Sequence, residues 1–238
     1  MAKFTLSILV SFLLSFGLQA QTLTGEWNVS GKNPEKVGYE GVLNVEQVNK
    51  TLHTLNWDVK YADQKKRQQF PGTGIYDPSS NVMYAAYGIE TYRYGLVSYP
   101  LNDKGGIKGS GSWTSHKGIG SELLAGKLMR SEIAGTYQVV GRRSTGDMEL
   151  GASETYEGTL KIKKGENGRY MLEWYLGDGT PYKGFAYKTK NALVGVWGIG
   201  GAFGLLTYTF DEDKATAKAT WTSPNYDYME GVEELEKK

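Results

Sequence analysis

The amino-acid sequence contains the same pattern twice, and this duplication limits what the chain can fold into. Residues 25–31 (GEWNVSG) return as residues 135–141 (GTYQVVG), 110 positions later. The other matching segments are 39–43 with 156–160, Trp57 with Trp174, 95–97 with 204–206, and 113–115 with 221–223. A period of about 110 residues indicates a duplicated domain rather than a solenoid of short repeats.

The N-terminal segment, residues 1–20, has the plan of a secretory signal peptide. Lys3 precedes an apolar run from Phe4 to Leu18, and Ala20 is a small residue suited to cleavage. The run is short for a membrane-spanning helix, although an uncleaved anchor helix is the alternative. We therefore expect an exported chain that begins near Gln21, has no membrane span after cleavage, and is periplasmic or extracellular.

The absence of cysteine and the balanced charge exclude several classes of function. With no cysteine, the chain has no disulfide, thiol nucleophile or thiolate metal site, so its core alone must stabilise it. The 27 basic and 26 acidic residues indicate no basic surface, and we expect no binding of nucleic acid.

Alternation of apolar and polar residues predicts about eight short strands in each repeat. The predicted strands lie near 25–31, 39–47, 51–59, 72–77, 80–88, 94–101, 107–114 and 118–124, and again near 135–141, 155–163, 169–176, 182–188, 191–198, 203–210, 215–222 and 230–236. The last strand of each repeat is the least obvious, because residues 232–235 alone resemble a helical tail. The glycine-containing counterpart at 118–123 favours a strand in both places.

The predicted fold is all-β, with two tandem, roughly eight-stranded up-and-down barrels of the calycin or avidin type. Closure into a barrel leaves no exposed strand edge. The predicted boundaries are 21–124 for the first barrel-like domain, 125–134 for a linker and 135–238 for the second. A pair of β-sandwiches fits the strand count almost as well, whereas polar outward faces disfavour one membrane barrel.

Few residues in the sequence offer catalytic or metal-binding chemistry. His53 and His116 have no histidine counterpart in the other repeat, and no cysteine accompanies them, so we expect no metal site. Glu40 and Glu157 recur, but on the face opposite the predicted core. No nucleophile elbow, phosphate loop or zinc-protease signature is present. We therefore expect no catalytic residues and no cofactor.

Aromatic residues are the remaining candidates for binding. If a ligand occupies a barrel, the inward aromatic residues would contact it: Trp27, Trp57 and Trp113 in the first repeat, and Tyr137, Trp174 and Trp221 in the second. Tyr92 and Tyr94 would instead form an exposed platform. The sequence leaves open whether the barrels are filled or hollow. It also leaves open whether the loop 60–73, with Phe70, is a lid over the mouth or a solvated loop.

The repeated motifs support one resemblance. The succession Gly-x-Trp/Tyr-x-Val-x-Gly, Tyr-x-Gly-x-Leu-x-Val/Ile, a tryptophan strand and a late Gly/Ala-x-Trp resembles a repeated module of small secreted bacterial β-proteins. Some of these carry the loose label "fibronectin-binding". The resemblance covers roughly residues 25–124 and 135–235. It implies a fold and export, and it carries over no catalytic residue.

The sequence therefore predicts an exported, non-catalytic binding protein whose partner is an unknown small molecule, a glycan or a surface protein. One alternative is an adhesive or structural surface protein that acts through loops and outer faces. A second alternative is a barrel enzyme that acts on a small apolar substrate. That enzyme would need a buried carboxylate or histidine facing a cavity.

Overall fold

The computed structural model describes residues 22–89, 93–115, 118–126, 131–143, 155–177, 179, 181–200 and 202–238. The first repeat contains β1 (Gly25–Lys32), β2 (Gly38–Gln47), β3 (Leu52–Tyr61), β4 (Gln68–Asp77), β5 (Val82–Gly88), β6 (Tyr94–Pro100), β7 (Ser110–Ser115) and β8 (Gly118–Gly126). The second contains β9 (Gly135–Arg143), β10 (Thr155–Lys164), β11 (Arg169–Leu176), β12 (Pro181–Lys188), β13 (Ala192–Gly198), β14 (Phe203–Phe210), β15 (Thr216–Thr222) and β16 (Glu230–Lys237). A 3-10 turn, Pro224–Tyr226, precedes β16.

All sixteen strands belong to two closed, eight-stranded antiparallel barrels, which confirms the predicted fold class and excludes the sandwich alternative. The predicted last strands, β8 and β16, are also present. The predicted signal peptide at 1–20 lies outside the described residues. No helix in the described part of the chain is long and apolar enough to cross a membrane.

The barrels do not coincide with the repeats. The first barrel consists of β1–β5 and β14–β16, with the order β1-β16-β15-β14-β5-β4-β3-β2. The second barrel consists of β6–β13, with the order β10-β11-β12-β13-β6-β7-β8-β9. Each barrel thus takes five strands from one repeat and three from the other. The predicted division at 124 and 135 is therefore wrong for the barrels, because the segment 125–134 joins two strands of the same barrel.

The second barrel is a continuous meander inserted into the first. It begins at Tyr94 and ends at Gly198, and these two residues pair across the β6–β13 ladder. The first barrel resumes at Phe203, which pairs with Gly88 across the β5–β14 ladder. Sequence periodicity predicts where the strands lie but not which strands pair. Because β6 and β14 occupy equivalent positions in the two repeats, either could pair with β5, and in the structure β14 does.

The two barrels pack against each other through outward faces of their strands. The apolar residues buried there are Ala86, Phe203 and Leu205 from the first barrel, and Tyr94, Leu96, Phe185 and Val196 from the second. The Tyr94 hydroxyl donates to the Pro71 carbonyl oxygen at 2.7 Å. The connections between the barrels also pair, because Ile89 N donates to Ala202 O at 3.3 Å and Ile199 N donates to Arg93 O at 2.9 Å. The interface therefore covers apolar side chains on the outward faces of both barrels.

Candidate functional site

Each barrel buries one glutamate among aromatic side chains. Glu233, on β16, is 4% exposed, and Glu122, on β8, is 5% exposed. Both strands alternate, so that Gly231, Glu233 and Leu235 face inward while their neighbours face solvent. A carboxylate at an inward position of a closed barrel is unusual, because burying a charged group is costly without compensation.

In the first barrel, two hydrogen-bond chains end on the Glu233 carboxylate. Trp221 Nε1 donates to the Tyr39 hydroxyl at 3.0 Å, and that hydroxyl donates to Glu233 Oε2 at 2.9 Å. Trp57 Nε1 is shared between the Tyr208 hydroxyl at 3.1 Å and Glu233 Oε1 at 3.2 Å. The Tyr208 hydroxyl donates to Glu233 Oε1. We call these five residues the first cluster.

The second barrel repeats the arrangement with the equivalent residues. Tyr156 donates to Glu122 Oε1 at 2.8 Å, and Tyr99 donates to Glu122 Oε2. The Trp113 indole faces Tyr156 and the Trp174 indole faces Glu122. Within the described residues, however, neither indole N–H completes a hydrogen bond. These five residues form the second cluster. Both clusters therefore have the same composition, but only the first has all its indole donors satisfied.

Repeated glycines make room for the cluster rings. A Cβ atom at Gly31 would lie 2.4 Å from the Tyr39 ring, and one at Gly141 would lie 1.9 Å from the Tyr156 ring. These are the last glycines of the Gly-x-Trp/Tyr-x-Val-x-Gly motif in the two repeats. The motif is thus explained by close approach of a tyrosine ring to the neighbouring strand.

Burial controls the protonation of both clusters. Burial raises the pKa of Glu233 and of Glu122, and the tyrosine hydroxyl donors offset part of that increase in both clusters. In the first cluster the Trp57 indole N–H offsets a further part. Burial and the neighbouring carboxylate also raise the pKa of Tyr39 and Tyr208 well above the ordinary value, so these hydroxyls remain donors. In the described chain, neither carboxylate forms an ion pair with a lysine or arginine.

A small cavity of about 40 Å³ lies beside Glu233 at one end of the first barrel. Its walls are Tyr39, Trp57, Val59, Tyr61, Phe70, Tyr87, Leu206, Trp221 and Glu233. The Tyr87 ring is central, with ring centroids 6.4 Å from Trp57, 5.9 Å from Phe70 and 6.0 Å from Trp221. Tyr61 and Phe70 are only half-buried and form the rim. The volume suffices for a few water-sized groups.

A larger depression of about 1110 Å³ borders the same end of the barrel. Most of its walls are solvent-exposed side chains of the outer sheet face, such as Ser30, Lys60 and Lys218. The small cavity is lined mainly by aromatic rings around a buried carboxylate, so it is the better candidate site.

The predicted binding residues lie in different parts of the two barrels. Trp57 and Trp221 belong to the first cluster, and Trp113 and Trp174 belong to the second. Trp27 and Tyr137 lie toward the other end of their barrels, where Trp27 Nε1 donates to Leu23 O at 3.0 Å and the Tyr137 hydroxyl donates to Ile133 O at 2.7 Å. They anchor the segments that precede β1 and β9.

The predicted exposed platform is wrong for Tyr94, which is fully buried between the barrels, and Tyr92 lies outside the described residues. The predicted extent of the loop 60–73 is also wrong. Strand β4 begins at Gln68, so Phe70 belongs to the barrel wall. Only a short connection remains, in which Arg67 Nε contacts Asp58 Oδ1 at 2.6 Å.

His53 belongs to neither cluster. His53 is buried against Tyr76, with ring centroids 6.4 Å apart, and burial lowers its pKa. His116 lies outside the described residues. Glu40 and Glu157 are exposed, as expected. No three metal-ligating side chains come together in the described ranges.

Apolar alternation does not identify Glu122 and Glu233, although the sequence contains another signal for them. Both repeats contain Gly-x-Glu-x-Leu, at 120–124 and at 231–235. The glutamate of this motif lies two residues before the inward leucine, so both side chains are on the same face of the strand. A duplicated acidic residue on an inward strand position is the pattern that would have located the clusters.

Comparison with protein-family models, curated proteins and solved structures found no match for this chain. The resemblance to secreted bacterial modules therefore stays a prediction, and function must be argued from the clusters themselves.

Proposed function

We propose that this chain is an exported, non-catalytic binding protein that takes a small ligand at the aromatic end of the first barrel. The observation that carries the proposal is the cavity beside Glu233, where aromatic rings surround a buried carboxylate that has no ionic partner in the described chain. Closed eight-stranded barrels have room for one small ligand and admit it at an open end. Export rests on the leader sequence.

The enzyme alternative is supported by one feature and weakened by another. Glu233 is the buried carboxylate facing a cavity that a barrel enzyme would need. Its oxygens, however, already accept hydrogen bonds from Tyr39, Tyr208 and Trp57. No second carboxylate or histidine borders the cavity among the described residues. A hydrogen-bonded single carboxylate suits recognition better than acid–base chemistry, which needs a proton acceptor within reach of the substrate.

The adhesive alternative depends on loops and outer faces. The longer loop of the second repeat, at 144–154, lies outside the described residues, and Tyr94 is covered by the barrel interface. The described part of the chain thus offers no aromatic platform at Tyr94, and the cavity remains the better supported site.

Binding can be tested by titrating the purified chain with small amines, alcohols, carboxylates and sugars while following tryptophan fluorescence. A ligand that enters the cavity should change the emission of Trp57 and Trp221. Phe70→Ala should weaken that change because it removes a wall of the site. Tyr182→Ala, at the equivalent position of the second barrel, is the matched control and should have little effect.

Two results would contradict this proposal. One is the absence of any fluorescence or melting-temperature change with every compound class. The other is a response that Tyr182→Ala abolishes and Phe70→Ala leaves intact, which would place the ligand in the second barrel.

A further inference from the structure

We infer that the first barrel selects small primary ammonium ions, which would bind between the Glu233 carboxylate and the surrounding aromatic rings. This inference rests on the proposed function, since it names the ligand class for the same cavity. Three independent features of the site lead to it: an unpaired charge, a set of ring walls and a small volume.

The first feature is the missing counter-charge. Buried carboxylates are usually paired with a cation, because hydrogen bonds alone seldom offset the loss of hydration. Glu233 has no lysine or arginine partner in the described chain. A carboxylate offers about four acceptor positions. Tyr208 and Trp57 occupy two on Oε1 and Tyr39 occupies one on Oε2, so one position on Oε2 remains for a donor.

The second feature is the arrangement of the rings. Tyr87 meets Trp57, Phe70 and Trp221 at interplanar angles of 63°, 84° and 88°, so the rings form walls rather than a stack. Aromatic walls attract cations through the ring quadrupole, and the attraction is strongest when water is excluded. An anion would meet both the ring faces and the carboxylate unfavourably.

The third feature is size. A cavity of about 40 Å³ accommodates an ammonium head and a short stretch of chain, but it is too small for a bulky quaternary group. The rest of the ligand would leave between Tyr61 and Phe70, which form the rim. An ammonium head supplies the hydrogen-bond donor that Glu233 Oε2 can still accept.

The test compares three ligands of similar size on the full chain: n-butylammonium, 1-butanol and butyrate. Isothermal titration calorimetry should give the tightest binding for n-butylammonium, roughly tenfold or more over 1-butanol, because a charge-assisted hydrogen bond is stronger than a neutral one. Butyrate should not bind. Glu233→Gln should weaken n-butylammonium binding by a similar factor. Glu234→Gln, which removes the same charge from the exposed neighbour, should leave it unchanged.

The outcomes separate the two proposals. Equal affinity for n-butylammonium and 1-butanol would overturn the cation inference while leaving a binding site in place. Binding of n-butylammonium that Glu233→Gln leaves unchanged would place the cation elsewhere and also overturn it. If none of the three ligands binds, the cation inference fails, and failure of the wider compound screen would then remove the binding function too. The ligand comparison on the unmodified chain decides the matter even if Glu233→Gln does not fold.

Discussion

At the scale of single residues, the duplication predicted the apolar members of the clusters and missed the charged ones. Trp57 and Trp174 sit at inward positions in both copies, and alternation alone identifies them. Glu233 lies in Val232-Glu233-Glu234-Leu235, where acidic residues fall on both faces and conceal the alternation. Hydrophobic periodicity has no means of marking a buried carboxylate, because its burial depends on hydroxyl donors that other strands contribute.

The buried glutamates should make stability depend on pH in an identifiable way. Because burial raises their pKa, the folded chain keeps these protons at a pH where the unfolded chain has lost them. Their contribution to stability is therefore complete below the ordinary pKa of 4.5 and is lost as pH rises through the folded-state pKa. The free energy of unfolding of the unmodified chain should fall with pH relative to a Glu122→Gln/Glu233→Gln double variant.

Urea unfolding of both proteins at several pH values above 4 measures that difference. Both proteins carry the same surface carboxylates, so the contributions of these groups to the pH dependence cancel in the difference. Glu234→Gln serves as the control, because it removes an exposed carboxylate from the same strand. A double-variant difference that is flat, or that rises with pH, would show that burial does not raise the pKa of the two glutamates.

At the scale of strands, the sequence predicted most elements because alternation and turn residues agree along the chain. The main difference is at β4, where the sequence pattern predicts a loop over residues 68–71 and the structure has a strand. Gln68 and Gln69 are polar and Pro71 lacks an N–H donor, so this part of the strand has no apolar alternation to reveal it. Pairing with β3 nevertheless brings Phe70 opposite Trp57. Tertiary pairing thus extends a strand that local sequence does not indicate.

Close approach of strands to the cluster rings gives a prediction for a single glycine. A Cβ atom at Gly231 would lie 2.3 Å from the Trp221 ring, so Gly231→Ala forces the indole or β16 to shift. Overpacking of this kind costs about 1–3 kcal/mol. At Gly38 the nearest atom would lie 3.9 Å away, and Gly38→Ala should be nearly neutral. Urea unfolding of both variants provides the measurement. Equal losses would indicate that the Trp221 ring is not held tightly against β16.

At the scale of the whole molecule, duplication predicted two barrels but not how the chain divides between them. Each repeat holds a full set of eight strands, and the sequence gives no reason for strands β6–β8 to leave the first five. In the structure they close the second barrel instead, and the apolar outer faces of β5, β6, β13 and β14 are buried where the barrels meet. The exchange therefore brings residues of both repeats together in each observed cluster. Neither observed cluster consists of residues from a single repeat.

The division of the chain leads to a prediction about fragments. Residues 94–198 form a continuous closed barrel whose first and last residues pair, so this fragment should fold alone. Its melting temperature should be lower than that of the intact chain, because Tyr94, Leu96 and Phe185 would become exposed to solvent.

The repeat fragments 21–124 and 135–238 must instead form a β5–β6 or β13–β14 ladder that the intact chain lacks, or exchange strands with a second copy. We expect them to melt lower still, or with a midpoint that rises with protein concentration. Thermal unfolding of the three fragments at two concentrations tests this division. A cooperative, concentration-independent transition in 21–124, together with none in 94–198, would contradict the observed partition of strands.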